Sequence, residues 1–202
     1  MTLAEVSTLR LYNQKISTTF GKSPGELVGS MGAMQAQDLI MAKRYFTCHG
    51  PATVKDFSWW SGLSISDSKK ALEYIKPELI SETIDSAQYW FPGPSPDYRP
   101  DKDSVFLLPA YDEFLIGYRN RSASLSLTDN PKTVSINGIF RPVIIVNGQV
   151  SGLWKRVSTK DKIRIELSFF KPVNKTILSL SDKVAQRFGK FVDKEVEVNV
   201  TS

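Results

Sequence analysis

The apolar positions in the first part of the chain recur at helical spacing. Residues 9–20 carry an imperfect apolar stripe, and a second helix is expected after Ser23, with Pro24 at its first position and Glu26 three residues after the cap. Residues 33–46 have the pattern of a third helix. The sequence therefore predicts three helices before the Gly-Pro pair at positions 50 and 51.

Residues 52–75 predict a helix, a tight turn and a second helix. Thr53 is the expected cap of the first helix, Gly62 permits the turn, and Ser64 or Ser66 is expected to cap the second. The positions expected to share a core are Val54, Phe57, Leu63, Ile65, Leu72 and Ile75, and those expected to face outward are Lys69, Lys70, Glu73 and Tyr74. A helix that enters the major groove of DNA needs such an outward polar face, but an αα-hairpin with no ligand has the same pattern.

From residue 79 onwards the pattern is mostly that of β-strands. Two wing strands joined by a turn at Asp85 and Ser86 are expected at 79–84 and 88–91, and five more strands at 105–108, 139–146, 149–155, 162–167 and 195–200. Asn147-Gly148 is a type I′ hairpin signal, and residues 177–192 predict one long helix. The expected fold class is α+β: a helical winged-helix domain over 1–91, a Pro-rich linker over 92–103, and an antiparallel β-barrel-like domain over 104–202.

Composition excludes several classes of protein. With 41% hydrophobic and 23% charged residues among 202, the chain is expected to be globular rather than disordered. Its apolar runs are far shorter than the roughly 18 to 20 residues that cross a bilayer, and its first residues do not have the pattern of a signal peptide. With one cysteine, Cys48, a cytoplasmic protein without membrane contact is expected.

Basic residues are concentrated in one stretch of a chain whose formal net charge is +5. Between positions 114 and 165 the acidic residues are Asp129 and Asp161, whereas the basic residues are Arg119, Arg121, Lys132, Arg141, Lys155, Arg156, Lys160, Lys162 and Arg164. Such a local excess attracts a phosphate backbone. A solvated basic face with no ligand is the alternative.

The sequence lacks the residue sets of common catalytic sites, such as metal centres, nucleotide-binding loops and serine hydrolase motifs. One histidine, His49, and one cysteine cannot supply the ligand set of a hydrolytic metal site. The chain has neither a phosphate-binding glycine loop nor a G-x-S-x-G elbow, so no metal or cofactor is expected. Asp112 and Glu113 are adjacent acidic residues for which pairing with Arg119 or Arg121 is expected.

Several blocks of the sequence match one protein family in order. The blocks are Arg10-Leu11 with Gln14, Pro24, Val28 and residues 32–38; residues 50–57 and 60–63; residues 107–118 with Arg121; and residues 148–155. In these blocks the chain resembles the bacterial winged-helix DNA glycosylases of the AlkZ/YcaQ-like family. The resemblance implies tandem winged helices and a C-terminal β-barrel arranged around DNA, and an activity that excises alkylated purines or unhooks interstrand crosslinks.

The resemblance also implies a catalytic site. Gln35 and Gln37 match the family's Gln-x-Gln motif and would hold the water that attacks the sugar carbon. A cationic N7-alkylated purine is already a good leaving group, so positioning of water is a sufficient role for two amides. The chain departs from the family at residues 41–44, where the opening blocks pass almost directly into blocks that normally lie far downstream.

Three functional hypotheses follow. The first is a winged-helix protein that binds double-stranded DNA and whose glycosylase activity is reduced or lost. The second is an active alkylpurine DNA glycosylase that uses Gln35 and Gln37, and the third is a protein-interaction remnant that does not bind DNA. The residues expected to contact DNA are Lys69, Lys70, Tyr74, Arg119, Arg121, Lys155 and Arg156.

Overall fold

The computed structural model describes Arg10, residues 33–93 and residues 103–201. The chain divides into two compact units: the first is Met1–Arg99 with Glu113–Arg121, and the second is Pro100–Asp112 with Ser122–Ser202. The predicted helices at 9–20 and after Ser23 lie outside the described residues, except for Arg10. The boundaries predicted from sequence did not anticipate that Glu113–Arg121 returns to the first unit, and they remain a prediction.

The first unit contains a run of helices followed by a hairpin. The helices are α1 (Ala33–His49), α2 (Val54–Ser61), α3 (Ile65–Ile75) and, in the returning segment, α4 (Glu113–Ile116); a 3-10 turn (Lys76–Glu78) leads into strands β1 (Ile80–Ile84) and β2 (Ala87–Phe91). The helices and the hairpin occur in the predicted order. Their designation as a winged helix remains a prediction.

Local capping explains where α2 and α3 begin and end. The backbone N–H of Asp56 donates to Thr53 Oγ1 and the N–H of Thr53 donates to Asp56 Oδ2, which completes a capping box. Gly62 ends α2 with φ at 74°, a left-handed conformation that favours glycine. Of the two candidate caps of α3, Ser64 is the one that accepts from the backbone N–H of Asp67. The predicted helix, turn and helix are confirmed.

The core of the first unit lies between α1, α2, α3 and β2. Its buried members include Leu39, Ala42, Tyr45, Phe46, Phe57, Ala71, Leu72, Ile75 and Trp90. The prediction that Ile65 belongs to this core is wrong, because its side chain is 39% exposed. Ile65 is the first residue of α3 and lies one turn before buried Ser68, so the apolar stripe there runs past the end of the core.

The hairpin of the first unit has the predicted turn. Strands β1 and β2 are antiparallel, with Ile84 opposite Ala87. Asp85 and Ser86 have φ values of 47° and 63°, as a two-residue type I′ connection requires. An isolated bridge joins Ala52 to Trp90, which ties the hairpin to the residues just before α2.

The second unit is built on a five-stranded sheet with the order β3-β4-β5-β6-β7. Its elements are β3 (Val105–Leu108), a short α5 (Asn130–Thr133), β4 (Val143–Val146), β5 (Gln149–Ser158), β6 (Lys162–Phe169), α6 (Lys175–Val192) and β7 (Glu195–Thr201). Asn147 and Gly148, both with positive φ, connect β4 to β5. The predicted hairpin and the predicted long helix are confirmed.

The predicted antiparallel barrel is not confirmed. Strand β7 pairs with β6 in parallel, because α6 carries the chain back across the sheet, and a crossover of this kind makes the two strands run in the same direction. Among the described strands the sheet is open, with β3 and β7 at its two edges. The second unit is therefore an open mixed sheet.

Helix α6 covers one face of this sheet. Ile163, Ile165 and Leu167 on β6 are buried with Ile177 and Ala185 of the helix, and a Cβ at Gly189 would collide with Val196. Every second residue of β6 points to the other, polar face. None of the helices in the described part of the chain is long and apolar enough to span a bilayer.

Candidate nucleic-acid interface

The two glutamines of the expected catalytic motif lie on α1. Gln37 is exposed, and the side chain of Gln35 lies outside the described residues. The catalytic role of the pair remains a prediction.

Helix α3 divides cleanly into a buried and an exposed side. Ser68, Ala71, Leu72 and Ile75 are buried. Lys69, Lys70, Glu73 and Tyr74 are exposed, with Tyr74 at 61%. The outward polar face predicted from the sequence is confirmed, and it offers two ammonium groups and a phenol to solvent.

Two lysines on or next to α3 already form ion pairs with carboxylates of this helix. Lys70 Nζ lies 3.1 Å from Asp67 Oδ1, and Lys76 Nζ lies 3.3 Å from Glu73 Oε2. A hydrogen bond from the Ser64 hydroxyl, followed by one from Lys70, lowers the pKa of Asp67. No described carboxylate forms an ion pair with Lys69, which makes its ammonium the more available of the two predicted contacts.

The β1–β2 hairpin, which follows α3, has no basic residue. Residues 80–91 include Glu82 and Asp85 but neither lysine nor arginine. Since phosphate contacts in DNA complexes come mainly from basic side chains, the hairpin is poorly suited to neutralise a phosphate backbone. Among the described residues of the first unit, the basic side chains lie on the helices, on the 3-10 turn and in the returning segment.

The returning segment places its two arginines in different environments. Arg119 is exposed, and its backbone N–H donates to Asp56 Oδ1 over 3.0 Å. Arg121 is half-buried, and its Nε donates to the carbonyl of Leu115 over 2.7 Å. Burial lowers the pKa of Arg121. Arg119 therefore presents its guanidinium to solvent, whereas Arg121 is engaged in holding the segment.

A buried ion pair anchors the returning segment. Arg10 and Asp56 are each 1% exposed, and Arg10 Nη2 lies 3.7 Å from Asp56 Oδ2. The Arg10 guanidinium also lies over the Tyr118 ring, 3.7 Å from its centroid, and its Nε donates to the carbonyl of Pro51. Asp56 Oδ1 accepts from the backbone N–H groups of Arg119 and Asn120. Together these contacts fix the returning segment to the start of α2.

The sequence predicted that Asp112 and Glu113 pair with Arg119 or Arg121, and for Glu113 this prediction is wrong. Its Oε2 lies 3.3 Å from His49 Nε2, at the end of α1. Burial lowers the pKa of His49, and the carboxylate of Glu113 opposes this only in part. The prediction failed because the partners are 64 residues apart and meet only when the segment returns to the first unit.

In the second unit the basic side chains mostly have partners. Lys155 Nζ lies 2.8 Å from Glu166 Oε2, and the Arg156 guanidinium lies over the Phe188 ring at 5.6 Å from its centroid. Along the polar face of the sheet, Lys162 pairs with Glu195 and Arg164 with Glu197. Two of these acids, Glu195 and Glu197, lie on β7, so the basic excess counted between positions 114 and 165 is partly neutralised by residues outside that stretch.

The predicted contacts are thus divided between the units. The first unit contains Lys69, Lys70, Tyr74, Arg119 and Arg121, and the second contains Lys155 and Arg156. Within residues 33–93 and 103–201, no group of three or more His, Cys, Asp or Glu side chains is arranged to hold a metal ion.

Comparisons with known proteins agree with this architecture. The DNA glycosylase AlkZ of Streptomyces sahachiroi superposes with a TM-score of 0.69 at 18% sequence identity. The superposition covers 88% of this chain and 49% of that one, so the chain spans about half the length of that protein, with which it shares a fold. No curated protein matches the sequence. A family model described as DNA glycosylase AlkZ-like matches residues 17–191, and the chain therefore belongs to the AlkZ-like DNA glycosylase family.

Proposed function

We propose that this protein binds duplex DNA through the exposed face of α3, with the three helices and the hairpin acting as a winged helix, and that its glycosylase activity is reduced or lost. The observation that carries the proposal is the division of α3. One side is fixed in the core by Leu72 and Ile75, and the other presents Lys69, Lys70 and Tyr74 to solvent. A helix mounted in this way is able to enter a major groove.

The basic side chains differ in how available they are for DNA phosphates, because some of them already bind other groups of the protein. Lys69 and Arg119 are exposed and are the strongest candidates for phosphate contacts in the first unit. Lys70 must leave Asp67, and Arg121 is held by the carbonyl of Leu115. In the second unit, Arg156 and the ion-paired Lys155 are secondary contacts, because a phosphate must compete with Glu166 for the lysine.

Reduced activity is supported by the departure from the family at residues 41–44, where its opening blocks pass almost directly into blocks that normally lie far downstream. An active alkylpurine glycosylase is the alternative. In that case Gln35 and Gln37 position the attacking water, and Gln37 is exposed as such a role requires.

The test is release of base from duplex DNA that contains N7-methylguanine, with duplex binding measured in the same samples at two salt concentrations. The proposal expects binding that weakens as salt rises, because phosphate contacts release counterions, and base release that is absent or much slower than that of a full-length alkylpurine DNA glycosylase assayed alongside. Release as fast as that of the full-length enzyme, which disappears in Gln35→Ala/Gln37→Ala, would instead establish the active enzyme. If neither duplex binding nor base release is detected, the hypothesis that remains is a protein-interaction remnant that does not bind DNA.

A further inference from the structure

The two edge strands of the five-stranded sheet differ in how open they are to another strand. Strand β3 has only four residues, and the Trp154 indole donates to the carbonyl of its last residue, Leu108. Strand β7 has seven residues, pairs with β6 at every position without a bulge, and contains no proline, glycine or lysine. Proteins close sheet edges with such residues, with bulges or by keeping the strand short. Among the described strands, β7 is therefore the edge that is open to further pairing.

The free side of β7 presents the backbone groups of its three valines. Along a strand, the N–H and C=O groups of successive residues point to opposite neighbours. The backbone N–H of Thr159 donates to the carbonyl of Lys162 across the β5–β6 hairpin, so the residues of β6 that face β7 are Ile163, Ile165 and Leu167. In a parallel ladder these bond to the residues on either side of their partners, which are Glu195, Glu197, Asn199 and Thr201. The groups of Val196, Val198 and Val200 therefore point away from β6.

A groove lies beside this free edge. Its volume is about 280 Å³, and Gln186, Gly189 and Lys190 of α6 line it together with Glu195 and Val196 of β7. The Gln186 side chain donates to the carbonyl of Val196 over 3.3 Å, which places the groove on the side of β7 that β6 does not occupy. The Val200 side chain is 52% exposed, so an added strand would also cover apolar surface.

We propose that β7 pairs antiparallel with β7 of a second copy of this chain, with Val198 opposite Val198, so that two sheets join into one of ten strands. In this register all seven residues of each strand have a partner. Val196 lies opposite Val200, Glu195 opposite Thr201, and Glu197 opposite Asn199. The valines of the two copies meet on the face that carries α6, and the Asn199 amide is able to donate to the carboxylate of Glu197 on the polar face.

The sequence of β7 selects this register over its neighbours. Antiparallel registers that keep the free backbone groups opposite each other differ by steps of two residues. One step in one direction places Glu197 opposite Glu197, and like charges directly opposite are destabilising. One step in the other direction leaves only residues 197–201 paired. Because the pairing is symmetric, each β7 covers the edge of the other, and the assembly closes at two copies.

The inference goes beyond the proposed function and does not depend on DNA binding. An interface made by one strand from each copy is small compared with the roughly 1,600 Å² of a typical stable complex. Pairing should therefore be weak and should depend on concentration. Sedimentation equilibrium of the full chain between about 5 and 500 µM should show the mass rising from one chain toward two. A mass of one chain at every concentration would overturn the inference.

Hydrogen exchange in the same samples identifies what covers β7. The backbone amide of Val198 should exchange more slowly as the dimer forms, because its N–H then donates to the second copy. If this amide exchanges slowly at every concentration while the chain stays monomeric, another segment of the chain covers the edge and the inference is wrong.

Two substitutions of one exposed residue test the register. Asn199→Glu places a carboxylate opposite Glu197 of the second copy and should raise the dissociation constant about tenfold, whereas Asn199→Lys places an ammonium there and should lower it about fivefold. Net charge alone predicts the reverse order, because the chain carries +5 and an added lysine increases repulsion between copies. The same substitutions at Gln88, an exposed amide on β2, are the control and should change the constant by less than about twofold. The reverse order, or equal effects at the two positions, would overturn the inference.

A second pair of variants tests the backbone bonds. Val200→Pro removes an N–H that points away from β6, so the ladder within one chain keeps its bonds. The dissociation constant should rise about tenfold or more, because each dimer loses two hydrogen bonds. Val200→Thr keeps the N–H and the branched shape and should stay within about threefold of the wild type. Equal dissociation constants for the two variants would show that the copies associate through another surface.

Discussion

The first unit contains a buried ion pair, whereas the ion pairs on the sheet of the second unit are exposed to solvent. In the first unit, Arg10 and Asp56 form an ion pair with each side chain 1% exposed. In the second unit, the Lys162–Glu195 and Arg164–Glu197 pairs lie on the open face of the sheet, with every side chain more than half exposed. The same kinds of residue are part of the interior in one unit and part of the solvated surface in the other.

This difference determines what each set of charges does. Removing one partner of a buried pair leaves the other charge buried without a counter-charge. This lowers the free energy of unfolding by about 3 to 5 kcal/mol. An exposed pair contributes about 0 to 1 kcal/mol, because water and salt screen it. The buried pair of the first unit therefore holds the fold around the helices, whereas the exposed pairs of the second unit mainly set the electrostatic field at its surface.

The largest expected effect is that of Asp56→Ala. This change removes the partner of Arg10, the capping box of α2 and the acceptor of two backbone N–H groups, so we expect the free energy of unfolding of the first unit to fall by about 3 to 5 kcal/mol. Urea titration followed by tryptophan fluorescence measures it. Asp67→Ala is the matched control, because Asp67 occupies the corresponding position of α3 but is exposed. Equal losses in the two variants would show that the buried pair has no special role.

A smaller loss is expected for Tyr118→Phe. The Tyr118 hydroxyl donates to the buried carbonyl of His49 over 2.9 Å, and its removal leaves that acceptor without this donor. We expect the free energy of unfolding to fall by about 1 to 2 kcal/mol. Tyr74→Phe removes the same atom from an exposed ring and should change stability by less than about 0.5 kcal/mol. Indistinguishable thermal midpoints would contradict the role given to Tyr118.

The pH dependence of stability reports on His49, which is the only histidine in the sequence. Burial lowers the pKa of His49 in the folded state, so as the pH falls below about 6.5 the unfolded chain takes up a proton before the folded chain does. Stability should therefore decrease on acidification from pH 7 into the interval below 6.5. The decrease should be much weaker in His49→Gln, measured by urea titration at each pH, and an unchanged decrease would rule out His49 as its source.

The smallest effect on stability is expected on the polar face of the sheet. Glu195→Gln and Glu197→Gln each remove one exposed ion pair and should alter the free energy of unfolding by less than about 1 kcal/mol. Both substitutions free a cation, so nonspecific duplex binding at low salt should increase. Measured losses as large as that of Asp56→Ala would remove the distinction between the two units.

The features that sequence predicted well are local. Thr53, Gly62 and Ser64 act on residues within one turn of themselves, so the ends of α2 and α3 followed from short stretches of sequence. The exposed face of α3 followed from helical periodicity alone. For the same reason, the turn of the β1–β2 hairpin was predictable.

The features that sequence missed depend on distant contacts. The acids that pair with Lys162 and Arg164 lie on β7 and are in register only because that strand is parallel to β6. Glu113 meets His49 across 64 residues, which no periodicity reveals.

Two double substitutions that remove the same charge test whether α3 is the DNA-binding element. Lys69→Ala/Lys70→Ala alters the exposed face of α3, and Lys183→Ala/Lys190→Ala alters exposed positions on α6. We would measure the duplex DNA association constant of each at several salt concentrations. If α3 binds DNA, the slope of log K against log salt should become shallower by about 1 to 2 for the α3 variant alone. Equal changes in both variants would show that DNA responds to net charge and not to α3.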